Sequence, residues 1–182
     1  MQLKSITLFM LGATGLMAQS LFRNDTSFSG DFIELGRQPT SNGNGTLIFF
    51  GPGGEKKTAH AALSSIEERA SCSNSGSISC SSDHTARNEN CDQLVTELFA
   101  DPTVGVATSP RQICYQGTSS DNEFCCVSWH NVVQGLTKGD LAPIAQTMLS
   151  QCTQNGISGK TKGINVHGTC TDVCLSNRGT HC

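Results

Sequence analysis

The sequence has no second long apolar run, no excess of basic charge and none of the short motifs of common hydrolases. Apart from residues 6–18, no stretch is long and apolar enough to approach a membrane span, so we expect none in the mature chain. Acidic residues outnumber basic ones, 15 to 12, which argues against nucleic acid as a partner. Neither a GxSxG elbow nor an HExxH segment occurs, so the sequence gives no support for an α/β-hydrolase or a zinc metalloprotease.

One apolar segment is present, and it lies at the start of the chain. Lys4 precedes residues 6–18, a segment about as long as a signal-peptide core, and Ala18, Gln19 and Ser20 offer a cleavage region. We interpret residues 1–20 as a signal peptide and expect the protein to be secreted and extracellular. A buried N-terminal helix is the alternative.

Cysteine is absent from residues 21–69 and dense after residue 70. An even number of cysteines in an exported chain indicates disulfides with no thiol left over. Cys125 and Cys126 are neighbours, so on a strand they face opposite ways and should bridge to different parts of the domain. The spacing does not determine the pairing. The ten cysteines expected to form five bridges are Cys72, Cys80, Cys91, Cys114, Cys125, Cys126, Cys152, Cys170, Cys174 and Cys182.

The cysteine-free stretch, residues 21–69, is predicted to form a β-hairpin followed by a helix. Phe32 to Leu35 and Leu47 to Phe50 read as strands, and residues 58–69 carry apolar side chains at helical spacing. The stretch contains no disulfide and few core residues, so we interpret it as a possible pro-segment that is processed near Arg69. In the competing interpretation, Leu47 to Phe50 adds a strand to the main sheet.

Residues 70–182 are predicted to form a small disulfide-stapled α+β domain, with two helices packed on an antiparallel sheet. Apolar stripes predict helices over 91–99 and 141–152, the second capped by Thr137 or, in preference, Asp140. Residues 112–115, 123–133 and 163–169 read as strands, and residues 71–90 as a loop. Trp129 is expected in the core.

Three arrangements could carry chemistry, and each has a simpler explanation. Residues 51–58, GPGGEKKT, lie where a phosphate-binding loop would, but Lys56 replaces a required glycine. His167, Cys170 and Cys174 have zinc-like spacing, yet disulfides explain these cysteines better. The histidines, including His130 and His167, would be needed for a ribonuclease, but solvated histidines are the default. We therefore assign no catalytic, cofactor-binding or metal residue.

Two kinds of surface feature remain. Asn24 and Asn44 begin glycosylation sequons, and Asn44 falls in the predicted hairpin loop. Lys160 and Lys162 lie among glycines in what reads as an exposed basic loop, a possible contact with a partner.

The tract from RQICYQG through FCCVSWHNVV and LTKGDLAPIAQTMLSQC to the C-terminal GTCTDVCLSNRGTHC resembles the fungal WD-like domain of small secreted fungal proteins, over roughly residues 70–182. More distantly, the order of its strands, helix and cysteines is similar to that of killer-toxin-like and necrosis-inducing effector domains. The resemblance implies a fungal source and secretion, and it brings no catalytic residues. The chain has no Trp-Asp pair, only Trp129-His130.

From these observations we expect a monomeric, non-enzymatic secreted protein without a cofactor. It would act by binding an unknown protein or cell-surface target, as an effector or killer-toxin-like protein does. A small secreted hydrolase such as a ribonuclease is the alternative, and a cell-wall structural protein is a third possibility.

Overall fold

The structure is a computed structural model that describes residues 32–52, 72, 76–106, 111–118 and 124–177. Several sequence-based predictions lie outside these residues. They concern the signal peptide over 1–20, the sequon at Asn24, the helix over 58–69 with its processing point, and all but the first two residues of the 51–58 loop.

The described chain contains seven strands, two α-helices and one short 3-10 turn (Thr153–Asn155). In chain order, the elements are β1 Phe32–Pro39, β2 Gly45–Pro52, β3 Ile78–Ser81, α1 Asn88–Ala100, β4 Gln112–Gly117, β5 Phe124–Trp129, α2 Lys138–Gln151, β6 Ser158–Val166 and β7 Thr169–Ser176. The first helix, predicted over 91–99, ends at Ala100, and its C-cap Asp101 comes just before Pro102.

All seven strands join one antiparallel sheet in the order β1-β2-β4-β5-β7-β6-β3. Strands account for 44% of the described chain and helices for 26%. The predicted α+β class is therefore wrong, because the sheet dominates the fold and the two helices are an addition to it. The fold class was mispredicted because two strands have no clear signal in the sequence.

The hidden strands are β3 and β7. Residues 78–81 lie in a serine-rich stretch and read as loop, yet they pair with β6. Residues 170–176 read as a tail that follows the predicted strand over 163–169, yet residues 169–176 form β7 between β5 and β6. β3 has a single β-branched residue, Ile78, and β7 is interrupted by Asp172, a residue type depleted in strands, so pairing with neighbours decides the structure of both segments.

The core lies between the sheet and the two helices. Leu94 and Leu98 of α1 and Leu141 and Met148 of α2 are fully buried against Trp129 and the strand residues beside it. The other face of the sheet carries a smaller buried cluster, formed by Ile48, Phe50, Cys114, Phe124 and Cys126, with Phe32 packed against it. Every residue of β5 is buried, so the sheet is covered on both faces there.

The cysteine-free hairpin β1–β2 belongs to the sheet. β2 pairs with β4 over six residues, and Leu47 and Ile48 are each 1% exposed. This is the competing arrangement of the sequence analysis, in which Leu47 to Phe50 joins the main sheet. It favours one folding unit that includes the hairpin; processing near Arg69 stays a prediction.

The turn of the hairpin is attached to α1 by a buried carboxylate. Glu97 of α1, 2% exposed, accepts hydrogen bonds from the backbone N–H of Ser41 and from its hydroxyl, at 3.0 and 2.7 Å. Tyr115 of β4 donates its hydroxyl hydrogen to the carbonyl of Asn44, at 3.1 Å. Burial raises the pKa of Tyr115, and the nearby Glu97 charge raises it further.

Four disulfides connect described residues: Cys72–Cys170, Cys80–Cys152, Cys91–Cys125 and Cys114–Cys126. Cys174 is also disulfide-bonded, and Cys182 lies outside the described residues. Cys125 bridges to α1 and Cys126 to the neighbouring strand β4, so the adjacent pair does reach two different parts of the domain. The predicted strand alternation explains this.

The start of α2 differs from the preferred prediction. Thr137, not Asp140, is the N-cap, and the two form a reciprocal capping box. The Asp140 carboxylate accepts from the N–H and the hydroxyl of Thr137, and the N–H of Asp140 donates to the Thr137 hydroxyl at 3.3 Å. Pro143 is consequently the sixth helical residue, beyond the first turn.

Candidate functional site

A groove of about 660 Å³ runs between α2 and the edge of the sheet formed by β3 and β6. From the helix come Asp140, Pro143, Ile144, Thr147 and Gln151, residues that recur at helical spacing along one side of α2. From the sheet and the segment before it come Gly76, Ser77, Ile78, Thr161, Ile164 and Asn165. We call this site the α2 groove. Its volume is within the range of small-ligand sites.

An irregularity in β6 shapes the floor of the α2 groove. The register of β6 against β7 shifts between Thr161 and Ile164, where Gly163 has a left-handed φ of 56°. Bulges of this kind bend a strand and redirect its side chains. Ile164 and Asn165, which follow the shift, are among the lining residues.

Several polar groups of the α2 groove have no protein partner among the described residues. The hydroxyl of Thr161, a residue that is 1% exposed, is buried without a hydrogen bond, and Gly76 lies directly against it. The side-chain amide of Gln151 is unpaired within the described chain. Asn165 accepts one hydrogen bond, from Gly168 at 2.9 Å, and its amide nitrogen donates to no described residue.

An acid–histidine pair lies at one end of the α2 groove. One oxygen of Asp140 is used by Thr137, and the other is 3.7 Å from Nδ1 of His167, too far for a direct hydrogen bond. His167 and Gly168 form the two-residue turn between β6 and β7, and both have positive φ, 47° and 83°. A type I′ turn requires this conformation, so the unusual backbone of His167 is explained locally.

The remaining described histidines do not extend this pair. His130 follows β5, where its backbone N–H donates to Thr171 and Asp172 and its carbonyl accepts from Arg111. His84 lies in the turn after β3 with φ of 58°. The zinc alternative loses two ligands, since Cys170 and Cys174 are in disulfides. Among the described residues, no cluster of three or more potential metal ligands is found.

The other residues singled out from the sequence are placed as follows. Lys160 and Lys162 lie in strand β6 and not in a loop; Lys160 pairs with Asp172 of β7 at 3.3 Å, and Lys162 is exposed. A partner contact at these lysines stays a prediction. Asn44 is exposed in the hairpin turn, and its glycosylation also stays a prediction. Trp129 is 1% exposed, so it is a core residue.

Sequence reasoning did not find the α2 groove. The helical periodicity of residues 141–152 identifies the apolar side of α2, which packs inward. A second row at the same spacing, Asp140, Thr147 and Gln151, marks the side that lines the groove. This row indicates a site only when β3 and β6 are known to lie beside it.

A second cavity, of about 460 Å³, lies at the N-terminus of α1 beside Arg87 and Asn88. No side chain caps this helix end. The α2 groove is the stronger candidate because it combines aliphatic walls with unpaired hydrogen-bonding groups.

Comparison with known proteins places the chain in a family. The profile of the fungal WD-like family matches residues 56–182, about 70% of the sequence, so the chain belongs to the fungal WD-like family. No curated protein and no solved structure matches it. The matched region begins after β2, so the hairpin precedes it. Neither of the two described α-helices is long and apolar enough to cross a membrane.

Proposed function

We propose that this protein is secreted and acts outside the cell by binding a protein or cell-surface component of a host or competing organism, as effectors and killer-toxin-like proteins do. Nine cysteines in disulfides support an oxidising compartment. The observation that carries the binding role is the α2 groove, where aliphatic walls lie beside polar groups that the described chain leaves unpaired.

A binding experiment on intact surfaces tests this proposal. Fluorescently labelled protein would be titrated onto plant cells, competitor fungal cells and isolated walls. We expect saturable binding to at least one surface that excess unlabelled protein displaces. Reduced and alkylated protein is the control, because it has the same composition without the fold. The absence of displaceable binding on every surface would contradict the proposed function.

The proximity of His167 to Asp140, whose second oxygen is 3.7 Å from Nδ1, favours a second candidate, a small secreted hydrolase. If the two side chains approach to hydrogen-bond distance, the carboxylate orients the imidazole so that Nε2 can accept a proton. Purified protein would be assayed on RNA, wall glycan and peptide, with His167→Ala compared with His84→Ala, an exposed histidine in another turn. Turnover that His167→Ala abolishes and His84→Ala preserves would replace the binding-only proposal with a hydrolase.

A structural role in the cell wall is separated by fractionation. A binding protein should be recovered mainly from the culture medium. Recovery only from the wall, after harsh extraction, would favour the structural alternative.

A further inference from the structure

We infer that the α2 groove binds an extended peptide segment of a partner protein, with a lysine or arginine of that segment beside Asp140 and aliphatic side chains against Pro143 and Ile164. The inference rests on the proposed function, since it names the kind of partner that the binding site accepts. It follows from the length of the groove, its hydrogen-bonding groups and its charge.

The length of the groove suits a short extended segment. Asp140 and Gln151 both line the groove and are eleven residues apart on α2, which is about 16 Å at 1.5 Å per helical residue. An extended chain advances about 3.3 Å per residue, so about five peptide residues span the groove.

The unpaired polar groups match a peptide backbone. A peptide presents alternating N–H donors and C=O acceptors, and each must be paired when it leaves water. The amides of Gln151 and Asn165 lie toward opposite ends of the groove, and each can serve a backbone group. The hydroxyl of Ser77, exposed and without a described partner, can do the same at the sheet side.

The charge of the groove selects a basic side chain. Asp140 is the only charged residue among the described lining residues, and its second oxygen makes no direct hydrogen bond, since its neighbour His167 is 3.7 Å away. The carboxylate is 29% exposed, so a cation can reach it from solvent. A phosphorylated or acidic ligand would meet a like charge and no described cation in the groove.

The composition of the walls argues against a sugar or a nucleobase. Both are usually recognised by stacking on aromatic faces, and none of the described lining residues is aromatic. The walls carry Ile78, Pro143, Ile144 and Ile164 instead, which suit aliphatic side chains. A short peptide with one basic residue followed by aliphatic residues matches both the Asp140 charge and these walls.

The test uses the full chain with a library of N-acetylated, C-amidated hexapeptides in which each position is varied in turn. We expect enrichment of lysine or arginine at one end of a run of aliphatic residues. Titration of the best peptide should shift backbone NMR signals of residues 140–151 and 161–165. A library with no binder, or shifts confined to other residues, would overturn the inference, as would preferential binding of chitotetraose used as a neutral sugar probe.

Two variants locate the site, and the chain offers a matched control. Gln151→Lys adds a positive charge inside the groove and removes an amide, so peptide affinity should fall about tenfold or more. Gln146→Lys makes the same change at an exposed position of α2 outside the lining residues, and affinity should stay within about twofold of the parent. Equal losses would overturn the inference.

The role of Asp140 has a separate readout. Asp140→Asn keeps an oxygen for the Thr137 cap and removes the charge. It should reduce the preference for the lysine peptide over the same peptide with norleucine, while thermal unfolding reports on any damage to the cap. An unchanged preference would contradict the assigned charge pairing.

Failure of this inference can be distinguished from failure of the proposed function. If Gln151→Lys still binds intact surfaces with parent affinity, the protein binds its target elsewhere. The function then stands and the groove inference is wrong. If the parent protein shows no displaceable binding to any surface, the proposed function itself is wrong.

Discussion

One end of the sheet is fastened by disulfides, and the other is fastened without any. At the β3 end, Cys80–Cys152 joins β3 to the residue after α2, and Cys72–Cys170 joins the chain before β3 to β7. At the β1 end, the hairpin contains no cysteine and is attached by its pairing with β4 and by Glu97, whose carboxylate holds the turn.

The difference follows from how much apolar surface the strand at each end of the sheet buries. β3 has four residues, mostly exposed, so it contributes little to the core and needs a covalent connection. β2 buries Leu47, Ile48 and Phe50 on the two faces of the sheet, and burial of each such side chain contributes about 1.5–3 kcal/mol. A strand with this much buried apolar surface is stable without a bridge.

The largest effect is expected at the disulfide end. Replacing Cys80 and Cys152 together with alanine opens a bridge that spans 72 residues, and should lower the free energy of unfolding by about 2–5 kcal/mol. Denaturant unfolding of the oxidised proteins measures this. The loss should exceed that of any single substitution in the hairpin turn; a loss below about 1 kcal/mol would show that β3 does not depend on its bridge.

At the hairpin end, Glu97→Ala should cost about 1–3 kcal/mol, because the N–H and the hydroxyl of Ser41 lose their partner. Glu97→Gln keeps one acceptor oxygen and should cost less. Glu89→Gln, at an exposed position on the same helix, is the matched control and should change stability by less than about 1 kcal/mol. Similar losses in Glu97→Gln and Glu89→Gln would mean that the buried carboxylate does not anchor the turn.

Packing of the same hairpin can be tested with two glycines. A Cβ on Gly45 would lie 2.6 Å from the Tyr115 ring, so Gly45→Ala should destabilise the protein by about 1–3 kcal/mol. A Cβ on Gly36 would have no atom within 4 Å. Gly36→Ala should therefore be nearly neutral in thermal unfolding. If the two variants unfold alike, β2 does not pack on β4 as closely as described.

The smallest effect concerns pH. Burial and, second, the Glu97 charge raise the pKa of Tyr115, so the folded protein keeps a neutral phenol where the unfolded chain ionises. The contribution of Tyr115 to stability is therefore fully present below about pH 10 and is lost as the pH rises further. Tyr115 is the only tyrosine in the chain, so absorbance at alkaline pH reports on it alone. The native midpoint should exceed that in denaturant, and Glu97→Gln should reduce the difference. Coincident midpoints would contradict the burial of this contact.

Strong local signals were sufficient for part of this fold. The apolar stripes of residues 91–99 and 141–152 predicted α1 and α2, and the β-branched and aromatic run after residue 123 predicted β5. β3 and most of β7 were not predicted, because Ser79, Cys80 and Asp172 resemble loop residues until a neighbouring strand pairs with them. That is why the predicted fold class gave the helices too much weight.

The candidate site was beyond sequence reasoning for a similar reason. Asp140 was the preferred prediction for the N-cap of α2, a position that Thr137 holds instead. Its place at the end of a groove depends on β6, eighteen or more residues later, and on β3, which comes before α1. Residues brought together from three distant elements leave no contiguous pattern to detect.

The order of strands also constrains when the protein can fold. β7 is the last of the described strands, yet it lies between β5 and β6. A growing chain therefore cannot connect the half of the sheet that contains β1, β2, β4 and β5 to the half that contains β3 and β6 until residues 169–176 have been made. Synthesis produces two incomplete sheets with open edges, which must be protected from pairing with other molecules. The two halves of the sheet are joined in a late, long-range step, so folding should be slow for a protein of this size. A chain that stops before residue 169 lacks the strand that joins them and cannot form the native sheet.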